Sequence, residues 1–435
     1  MNRVALNIKR FLGAQRTAIA NNRQAVRSVA AALSGNMAAS LLGAVGGILV
    51  ARFVAPDVAG QFRSYTIPLM YLTFLHLGTP DGLNRQLPYY SAKDQPEKVE
   101  ALASTAGAWN IFISILISVG FILCAFYSLW KGDTQGIFGW LSQALCCWGI
   151  FFGVYVGATY RTVNHFAAFA RIQIFQSLLA FCIVFTMPFS QFYGLCVRAA
   201  VPTILGLLLL QHFRPLKVKY RFQYKELKSL VRTGAPFFFW IYISTSLWIA
   251  SESFLILRMG GLTALGLFGV AVVIRDALSI LPMSIHQVVM PKTVEKYAID
   301  GNITMVSKKL FQITIVTTAV MIAATLLCSA ILTMFVPIFI PKYAAGLPLM
   351  KLCLWFAAIH AASFPLNALF STGNAWLYGR GVLLGIAFFP VAVWLCLPLV
   401  GGVMAVVIGS LVGRIVRVLE SYVEIWLLLR RAPVQ

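Results

Sequence analysis

Four arginines stand inside otherwise apolar stretches of the sequence. Arg198 lies in YGLCVRAAVPTILG and Arg275 in GVAVVIRDALSIL, while Arg414 and Arg417 lie three residues apart in a third such stretch. Arginine stays charged when buried, and its guanidinium can donate two parallel hydrogen bonds to an anion. These positions therefore indicate a buried anion site. The alternative is a side chain that reaches the polar surface or forms a structural ion pair, which we expect for Arg417 because Glu420 follows it.

Two acidic residues accompany these arginines. Glu252 lies in LWIASESFLIL, and Asp276 directly follows Arg275. Because adjacent helical residues point about 100° apart, we expect Asp276 not to neutralise Arg275 directly. A carboxylate in such a position can bind a proton or Na⁺, which makes Glu252, and after it Asp276, candidates for ion coupling. The competing hypothesis is a static ion pair between Glu252 and Arg275.

The composition shows which solvent surrounds these residues. Of the 435 residues, 60% are hydrophobic and 11% are charged, and the mean hydropathy is +0.82. A soluble chain is about one quarter charged, so this chain lacks the polar residues to coat a surface in water. Its net charge of +22 indicates membrane topology and an anionic ligand or leaflet, not a nucleic acid partner.

The residues that usually build metal or catalytic sites give no such signal. All eight cysteines lie in apolar runs without a CxxC pair, and the five histidines share no helical face. No stretch resembles a P-loop or a catalytic triad. We therefore expect no catalytic residue, no metal and no cofactor, apart from H⁺ or Na⁺ as a coupling ion.

Twelve stretches are long and apolar enough to cross a bilayer, at about 20 residues each. Each must be helical, since lipid offers no partner for backbone polar groups. Short turns at Phe189-Ser190 and Val400-Gly401 separate neighbouring spans. The predicted fold class is all-α integral membrane, with about twelve transmembrane helices. The predicted spans are 30–51, 62–80, 103–130, 137–159, 166–188, 191–211, 234–257, 263–288, 311–336, 347–371, 380–398 and 401–427.

Lysine and arginine concentrate in alternate connections. The two termini and the connections on the same side of the membrane together hold 25 of these residues, and the connections on the other side hold six. The positive-inside rule therefore predicts that both termini are cytoplasmic. The first 27 residues carry six basic residues and no acid, which predicts an interfacial helix on the cytoplasmic leaflet. The six residues of the intervening connections are Arg52, Arg63, Lys131, Arg258, Lys342 and Lys351.

Several charges lie at the ends of the spans. Arg85 follows GTPDG at 78–82, where glycine and proline interrupt the helical pattern. Irregular backbone at this depth is tolerated where it lines a cavity, so Arg85 and Asp81 are candidates for the inward-facing mouth. The alternative is an ordinary solvated helix end. Arg52 and Arg258 end spans on the outer side and are candidates for outer-mouth contacts or for headgroup anchors.

The chain divides into two halves of six spans. ARFVAPDVAGQF (51–62) and LRMGGLTALGLF (257–268) end the first and seventh spans with Arg, Gly and Phe at the same intervals. Both halves enter and leave on the cytoplasmic side, which predicts a parallel pseudo-two-fold repeat about the membrane normal. The predicted domains are a basic interfacial segment 1–29, a six-helix bundle 30–211, a basic cytoplasmic linker 212–232, a second six-helix bundle 233–429 and a cytoplasmic tail 430–435.

Several longer segments carry a resemblance to a known family. They are ARFVAPDVAGQFRSYTIPLMYLTFLHLGTPDGLNRQLPYY in the first half, and TGAPFFFW, ILRMGGLTALGLFGVAVVI and IFIPKYAAGLPLMKLC in the second. By these segments and their order, the chain from about Ser28 onward resembles the polysaccharide flippases of the multidrug/oligosaccharidyl-lipid/polysaccharide (MOP) superfamily. These are the Wzx-type transporters of lipid-linked O-antigen and related repeat units.

The resemblance implies a V-shaped, alternating-access transporter of the bacterial inner membrane. Its substrate would be undecaprenyl diphosphate bearing a few sugars, for O-antigen lipopolysaccharide, capsule or exopolysaccharide. Arg85, Arg198, Arg275 and Arg414 would bind the diphosphate or the sugars, and we expect guanidinium groups of both bundles to converge on one cavity. Family members often carry Asp where this chain has Glu252, so the charge is retained.

The resemblance also bears on the partners. We expect a monomer that contacts membrane lipids and the lipid-linked oligosaccharide, with a polysaccharide polymerase and a chain-length regulator as candidate partners.

Two other functions stay open at this point. A drug or metabolite exporter of the same superfamily would need an apolar or acidic cavity, whereas the buried charge here is basic. A polymerase or acyltransferase of polysaccharide assembly would need a long outer loop or an intramembrane histidine with a partner. The longest outer connection, WKGDTQGIFG at 130–139, is short, and we find no such histidine. A transporter, not an enzyme, is the favoured interpretation.

Overall fold

The computed structural model describes residues 22–163, 165–300, 303–364 and 375–431. In these ranges the chain forms helices joined by short turns and by one longer non-helical segment, 213–223, and no strand is present. Fourteen α-helices lie in them, with short 3₁₀ and π segments between some of them. They are α1 Asn22–Phe53, α2 Pro56–Leu72, α3 Thr79–Ala92, α4 Pro96–Trp130, α5 Thr134–Trp148, α6 Val154–Thr162, α7 Phe166–Ile183, α8 Met187–His212, α9 Tyr224–Tyr242, α10 Trp248–Asp300, α11 Ile303–Phe339, α12 Leu347–Ala362, α13 Ala375–Val400 and α14 Gly402–Arg431.

The described helices correspond to the twelve predicted spans, of which 347–371 extends past 364 into residues outside the described ranges. Nine helical stretches of the described chain are long and apolar enough to cross a membrane. Two of them, Phe166–His212 and Tyr224–Ile285, each contain one residue with non-helical angles, Gln191 and Gly261, and so comprise two helical limbs. The nine stretches therefore contain eleven helical limbs, and the 17-residue helix α2 brings the number in the described chain to twelve. The predicted fold class is confirmed.

The second predicted span, 62–80, differs from the structure in its bounds. Proline at the start of a helix costs no hydrogen bond, and α2 begins earlier, at Pro56, with Asp57 in its first turn. It ends at Leu72, and a 3₁₀ turn with a left-handed residue at Gly78 leads into α3. As a result, Arg63 lies inside a helix and not in an outer connection.

The chain folds into two compact units, whose boundaries differ from the predicted ones. The first unit contains the described residues up to Gly46 together with Tyr65–Ser246. The second contains Gly47–Ser64 together with the described chain from Leu247 onward. The division therefore falls after the predicted linker 212–232, and part of the first predicted bundle belongs to the second unit.

The basic segment after α8 packs into the first unit. Its residues alternate in exposure, since Leu216 and Val218 are buried while Lys217 and Lys219 are exposed. Period-two alternation is typical of an extended chain that lies on a surface. The predicted linker is therefore in part a packed element, and its remainder forms the start of α9.

Arg214 anchors this segment. Its side chain is buried, and Nη1 donates to the hydroxyls of Tyr220 and, at 3.4 Å, Tyr155. The guanidinium also lies 5.2 Å from the Tyr220 ring centroid and 5.9 Å from that of Tyr155. The two tyrosines thus supply both hydrogen-bond acceptors and aromatic rings to the buried cation.

In the second unit, the end of α1 is bound to the segment after α11. Arg52 donates to the carbonyl oxygen of Phe339 at 3.0 Å, the last residue of α11. In return, Lys342 and Tyr343 donate to the carbonyl oxygens of Phe53 and Val54, at 3.4 and 3.3 Å. The terminal carbonyls of a helix have no partner within it, and here each helix end is satisfied by side chains from the other.

Gly60 and Gly266 hold two helices of the second unit in backbone contact. A Cβ atom added at Gly60 would overlap the carbonyl oxygen of Leu262, and one added at Gly266 would overlap that of Pro56. Only glycine allows backbones to approach so closely. The two residues are the glycines of the repeated sequence pattern, and this contact is the structural reason for glycine at both positions.

Candidate functional site

A polar cavity of about 160 Å³ lies within the second unit, among α10, α12 and α14. Such a site in a membrane helix bundle is costly, because charged groups there lose their hydration. The residues around it therefore point to a function. Its charged and aromatic lining residues are Arg275, Asp276, Phe356, His360, Arg414 and Arg417.

Glu252 and Arg414 form an ion pair beside this cavity. Arg414 Nη2 lies 2.9 Å from Glu252 Oε1, and Ser410 donates its hydroxyl to the same oxygen. Ser410 in turn accepts a hydrogen bond of 2.9 Å from Trp248 Nε1. Glu252 is 1% exposed. The predicted pairing of Glu252 with Arg275 is wrong, because Arg414 and Ser410, one helical turn apart on α14, supply the partners.

Arg275 pairs with its neighbour in sequence. Its Nε and Nη2 atoms both lie 2.9 Å from Asp276 Oδ1. The expectation that Asp276 could not neutralise it directly is wrong, since the long arginine side chain turns back toward the adjacent carboxylate. The Arg275 side chain is 9% exposed and that of Asp276 is 62% exposed. Asp276 therefore stands between the buried guanidinium and open space.

Aromatic rings hold the two guanidinium groups in place. The guanidinium carbon of Arg414 lies 5.0 Å from the Trp248 ring centroid and 4.9 Å from that of Phe356. The guanidinium carbon of Arg275 lies 5.6 Å from the Phe356 centroid. Phe356 is thus shared by both cations. Ring faces attract cations and leave the N–H donors of arginine available for other partners.

Arg63 is a further basic residue of this region that the sequence interpretation missed. Its guanidinium lies 5.4 Å from the Phe268 ring centroid, and its electrostatic neighbours include Arg275, Asp276 and Glu252. The sequence count assigned Arg63 to an outer connection because the start of α2 was placed too late. A helix begun at Pro56 would have revealed it as an intramembrane arginine.

Arg417 and Glu420 do not pair as predicted. Arg417 donates to the hydroxyl of Tyr378, whose ring centroid lies 5.0 Å from its guanidinium carbon, and it lines the cavity. Glu420 instead lies 3.6 Å from Arg380, which also forms an ion pair with Glu424. Arg380 thus supplies the cation for the acidic residues of α14, and Arg417 contributes its charge to the cavity.

The charges of the described residues in and beside the cavity do not balance. They comprise four guanidinium groups and two carboxylates, which leaves a formal surplus of two positive charges among these residues. A surplus of buried charge is unfavourable unless a counter-ion compensates it. An anion with two negative charges would do so. We call this set the arginine cluster; its members are Arg63, Arg275, Arg414, Arg417, Glu252 and Asp276.

Arg198, also a predicted substrate-binding residue, lies in the first unit. Its Nε donates to the carbonyl oxygen of Ala180 at 3.2 Å, and Gly46 gives its guanidinium room to lie close to α1. It does not line the cavity described above. Arg198 and Arg275 belong to different units, so their convergence on one cavity stays a prediction.

The predicted mouth residues have varied surroundings. Arg85 is exposed, with its guanidinium carbon 4.4 Å from the Phe237 ring centroid, and Asp81 is half-buried on the same helix. Arg52 is exposed and engaged by the end of α11. Arg258 is exposed. The carbonyl contact of Arg52 supports a structural role there.

Metal-binding side chains do not cluster in the described ranges. No group of three or more His, Cys, Asp or Glu residues there could hold a metal ion. The carboxylates that lie near the cavity are instead bound by arginines.

The fold is shared with solved transporter structures. A multidrug resistance MATE family transporter of the MOP superfamily, in an inward-facing conformation, has a TM-score of 0.70 at 13% identity over 91% of this chain and 96% of that one. A MATE transporter of Vibrio cholerae has a TM-score of 0.62 at 12% identity over 98% and 99%. The lipid II flippase MurJ, inward closed, has a TM-score of 0.66 at 14% identity over 90% and 86%.

The comparison at the level of sequence is negative: no protein-family model and no curated protein matches the chain. At identities this low, the structural likeness establishes the fold and not the substrate. With its apolar helices, this fold makes the chain a multi-pass membrane protein.

Proposed function

We propose that this chain is a secondary transporter that flips undecaprenyl diphosphate-linked oligosaccharides from the cytoplasmic to the periplasmic leaflet of a bacterial inner membrane. The repeat units would serve O-antigen, capsule or exopolysaccharide, and both termini would lie in the cytoplasm. The observation that supports this function best is the arginine cluster, with its surplus of two positive charges around a cavity.

A diphosphate linkage fits this surplus. Each phosphate of the linkage carries one negative charge at neutral pH, and neither charge can cross bare hydrocarbon because the loss of hydration is too costly. Arg275 and Arg414 offer donors that can bind phosphate oxygens in pairs. Both are already positioned by the Phe356 ring, so substrate binding would immobilise few additional side-chain torsions.

The electrostatics disfavour the main alternative. A multidrug exporter of the same fold that carries cationic drugs would have to bring a cation next to four guanidinium groups. Like charges in a low-dielectric site repel strongly. The cluster therefore supports an anionic substrate over a cationic one.

The direct test is a flipping assay with the purified full chain in proteoliposomes. The substrate is the lipid-linked oligosaccharide extracted from the source cell, and a membrane-impermeant glycosidase reports how much of it has reached the outer leaflet. We expect Arg275→Ala to slow flipping by about tenfold or more, as loss of a charged hydrogen bond would. Arg275→Lys, which keeps the charge but not the paired donors, should be intermediate.

The matched control is Arg171→Ala, which removes an exposed arginine of the first unit whose Nε donates to the carbonyl oxygen of Ala167 on its own helix. It should flip at the unaltered rate. The proposal fails if the unaltered chain does not accelerate flipping, or if Arg275→Ala matches Arg171→Ala. In cells, deletion of the gene should trap lipid-linked repeat units on the inner leaflet. Unchanged surface polysaccharide would count against the function.

A further inference from the structure

A second cavity, of about 370 Å³, lies within the first unit and takes no part in the site described above. Residues of α1, α6, α7 and α8 line it, together with the π-helical turn Gly149–Gly153. Its volume falls in the range of about 300–1,000 Å³ that is usual for small-molecule pockets. It is therefore large enough for a ligand and not only for a single water molecule.

Apart from Arg161, the polar lining residues of this cavity are neutral. Asn36, Gln173 and Gln176 contribute amide side chains, and Thr203 contributes a hydroxyl. All four lie in helices that are apolar enough to span a membrane, where amides are rarely placed without a partner or a function. Arg161 is the one ionisable residue among the described lining residues; it is exposed and donates to Asn84 Oδ1 at 3.3 Å.

The amide groups are only partly satisfied by the protein. Gln176 donates to the carbonyl oxygen of Pro202 at 3.3 Å, and Gly206 leaves the space that its amide occupies. The Oε1 atom of Gln173 is buried and has no hydrogen-bond partner among the described residues. A buried acceptor of this kind is unfavourable unless a ligand or water donates to it.

Gly153 lies on the cavity lining and has room for a small side chain. A Cβ atom added there would have its nearest neighbours 3.7 and 3.8 Å away, which is ordinary van der Waals contact without overlap. Phe169 offers an aromatic ring on the same lining. A sugar has hydroxyl groups that can donate to and accept from the amides, and an apolar ring face that can pack on Phe169. An acyl chain would leave the amides unpaired.

We propose that this cavity of the first unit binds a neutral sugar residue. The inference rests on the proposed function only for the source of that sugar, namely the glycan of the lipid-linked oligosaccharide. Its chemistry is distinct from that of the arginine cluster: neutral amides for hydroxyl groups here, guanidinium groups for a diphosphate there.

The test measures sugar binding by saturation-transfer NMR on the full chain in phosphatidylcholine nanodiscs. One probe is the oligosaccharide that mild acid releases from the lipid-linked pool of the source cell, which lacks both lipid and diphosphate. The other probe is the intact lipid-linked oligosaccharide. We expect both probes to bind. The proposal would be overturned if saturation transfer appeared only with the intact lipid-linked oligosaccharide, and there only in the signals of its lipid and not in those of its sugars.

Two variants test the site itself. Gly153→Leu places a large side chain on the lining of the cavity, and we expect it to weaken binding of the released oligosaccharide by about tenfold or more. The double change Gln173→Leu and Gln176→Leu removes the amides at similar volume and should have a comparable effect. The matched control is Gly120→Leu, which adds the same side chain at a helical glycine with no neighbour within 4 Å and should bind as the unaltered chain does.

Binding of inorganic pyrophosphate, measured on the same samples, separates this inference from the proposed function. Suppose that pyrophosphate binds but the released oligosaccharide does not, or that the oligosaccharide binds the two site variants as well as it binds Gly120→Leu. Either result refutes the sugar site and leaves the proposed function standing. If pyrophosphate fails to bind while the sugar binds, the proposed role of the arginine cluster fails and the sugar site stands. Should Gly153→Leu not fold, the glutamine variant decides.

Discussion

Glu252 and Arg414 form an ion pair of 2.9 Å inside the second unit, and Ser410 donates to the same carboxylate oxygen. Because Glu252 is almost fully buried, its charge is compensated by a cation that belongs to the protein. The pair leaves Arg275, whose carboxylate partner Asp276 is exposed, and Arg417, which lines the cavity, as cluster arginines that are not bound to Glu252.

This pair should be energetically coupled. We expect Glu252→Leu and Arg414→Leu each to lower the free energy of unfolding by about 3–5 kcal/mol, because each leaves one uncompensated buried charge. The double variant should lose much less than the sum of the two. The measurement is a double-mutant cycle from reversible unfolding in detergent micelles. Strictly additive losses would show that the two residues do not interact.

The same pair bears on ion coupling. Since Arg414 already neutralises Glu252, we expect Glu252→Gln to keep whatever dependence on a proton or Na⁺ gradient the unaltered chain has. Flipping in proteoliposomes with each gradient imposed in turn measures this. A variant that still flips but no longer responds to the gradient would instead identify Glu252 as the coupling residue.

Phe356 offers a test of the aromatic contribution. Phe356→Leu keeps an apolar side chain but removes the ring face shared by Arg275 and Arg414. Each cation–π contact is worth about 0.5–2 kcal/mol, so we expect pyrophosphate to bind roughly two- to thirtyfold more weakly. Phe356→Tyr retains the ring and should bind nearly normally. Equal affinity in the leucine and tyrosine variants would exclude a role for the ring.

Arg214 should decide whether the basic segment after α8 stays packed. We expect Arg214→Met to expose this segment, because the two tyrosine hydroxyls lose their buried donor. Limited trypsin digestion would then cut at Lys217, Lys219 or Arg221 many times faster. The matched control is Lys217→Met, an exposed residue of the same segment, which should leave the digestion rate at the remaining sites unchanged. Resistance of Arg214→Met would contradict this role.

The sequence was most informative where apolar runs and charge coincide. The length of a membrane helix is set by the bilayer, so the spans could be predicted closely. Arg275 and Arg414 stand out because an arginine is rare in such a run. Their partners could not be deduced, because pairing depends on which helices pack together and on how a flexible side chain bends. The contact of Glu252 with Ser410 depends on which helices pack together, and the pairing of Arg275 with Asp276 depends on how the arginine side chain bends.

Other site residues carried no signal in the sequence. Phe356 and Trp248 look like the many aromatic residues that face lipid, and only the structure shows them against guanidinium groups. Arg63 and the packed segment after α8 could have been found. The proline at Pro56 marks an earlier helix start, and the alternation of LKVKYR at 216–221 is a sign of an extended packed chain.

The contact between Gly60 and Gly266 joins two positions that correspond in the sequence repeat. A residue that meets its own counterpart is the signature of an isologous interface, in which one patch is complementary to itself. Here a single polypeptide carries both copies. A larger side chain at either glycine therefore separates both helices at the same contact. The residue tolerated at one position thus depends on the residue at the other.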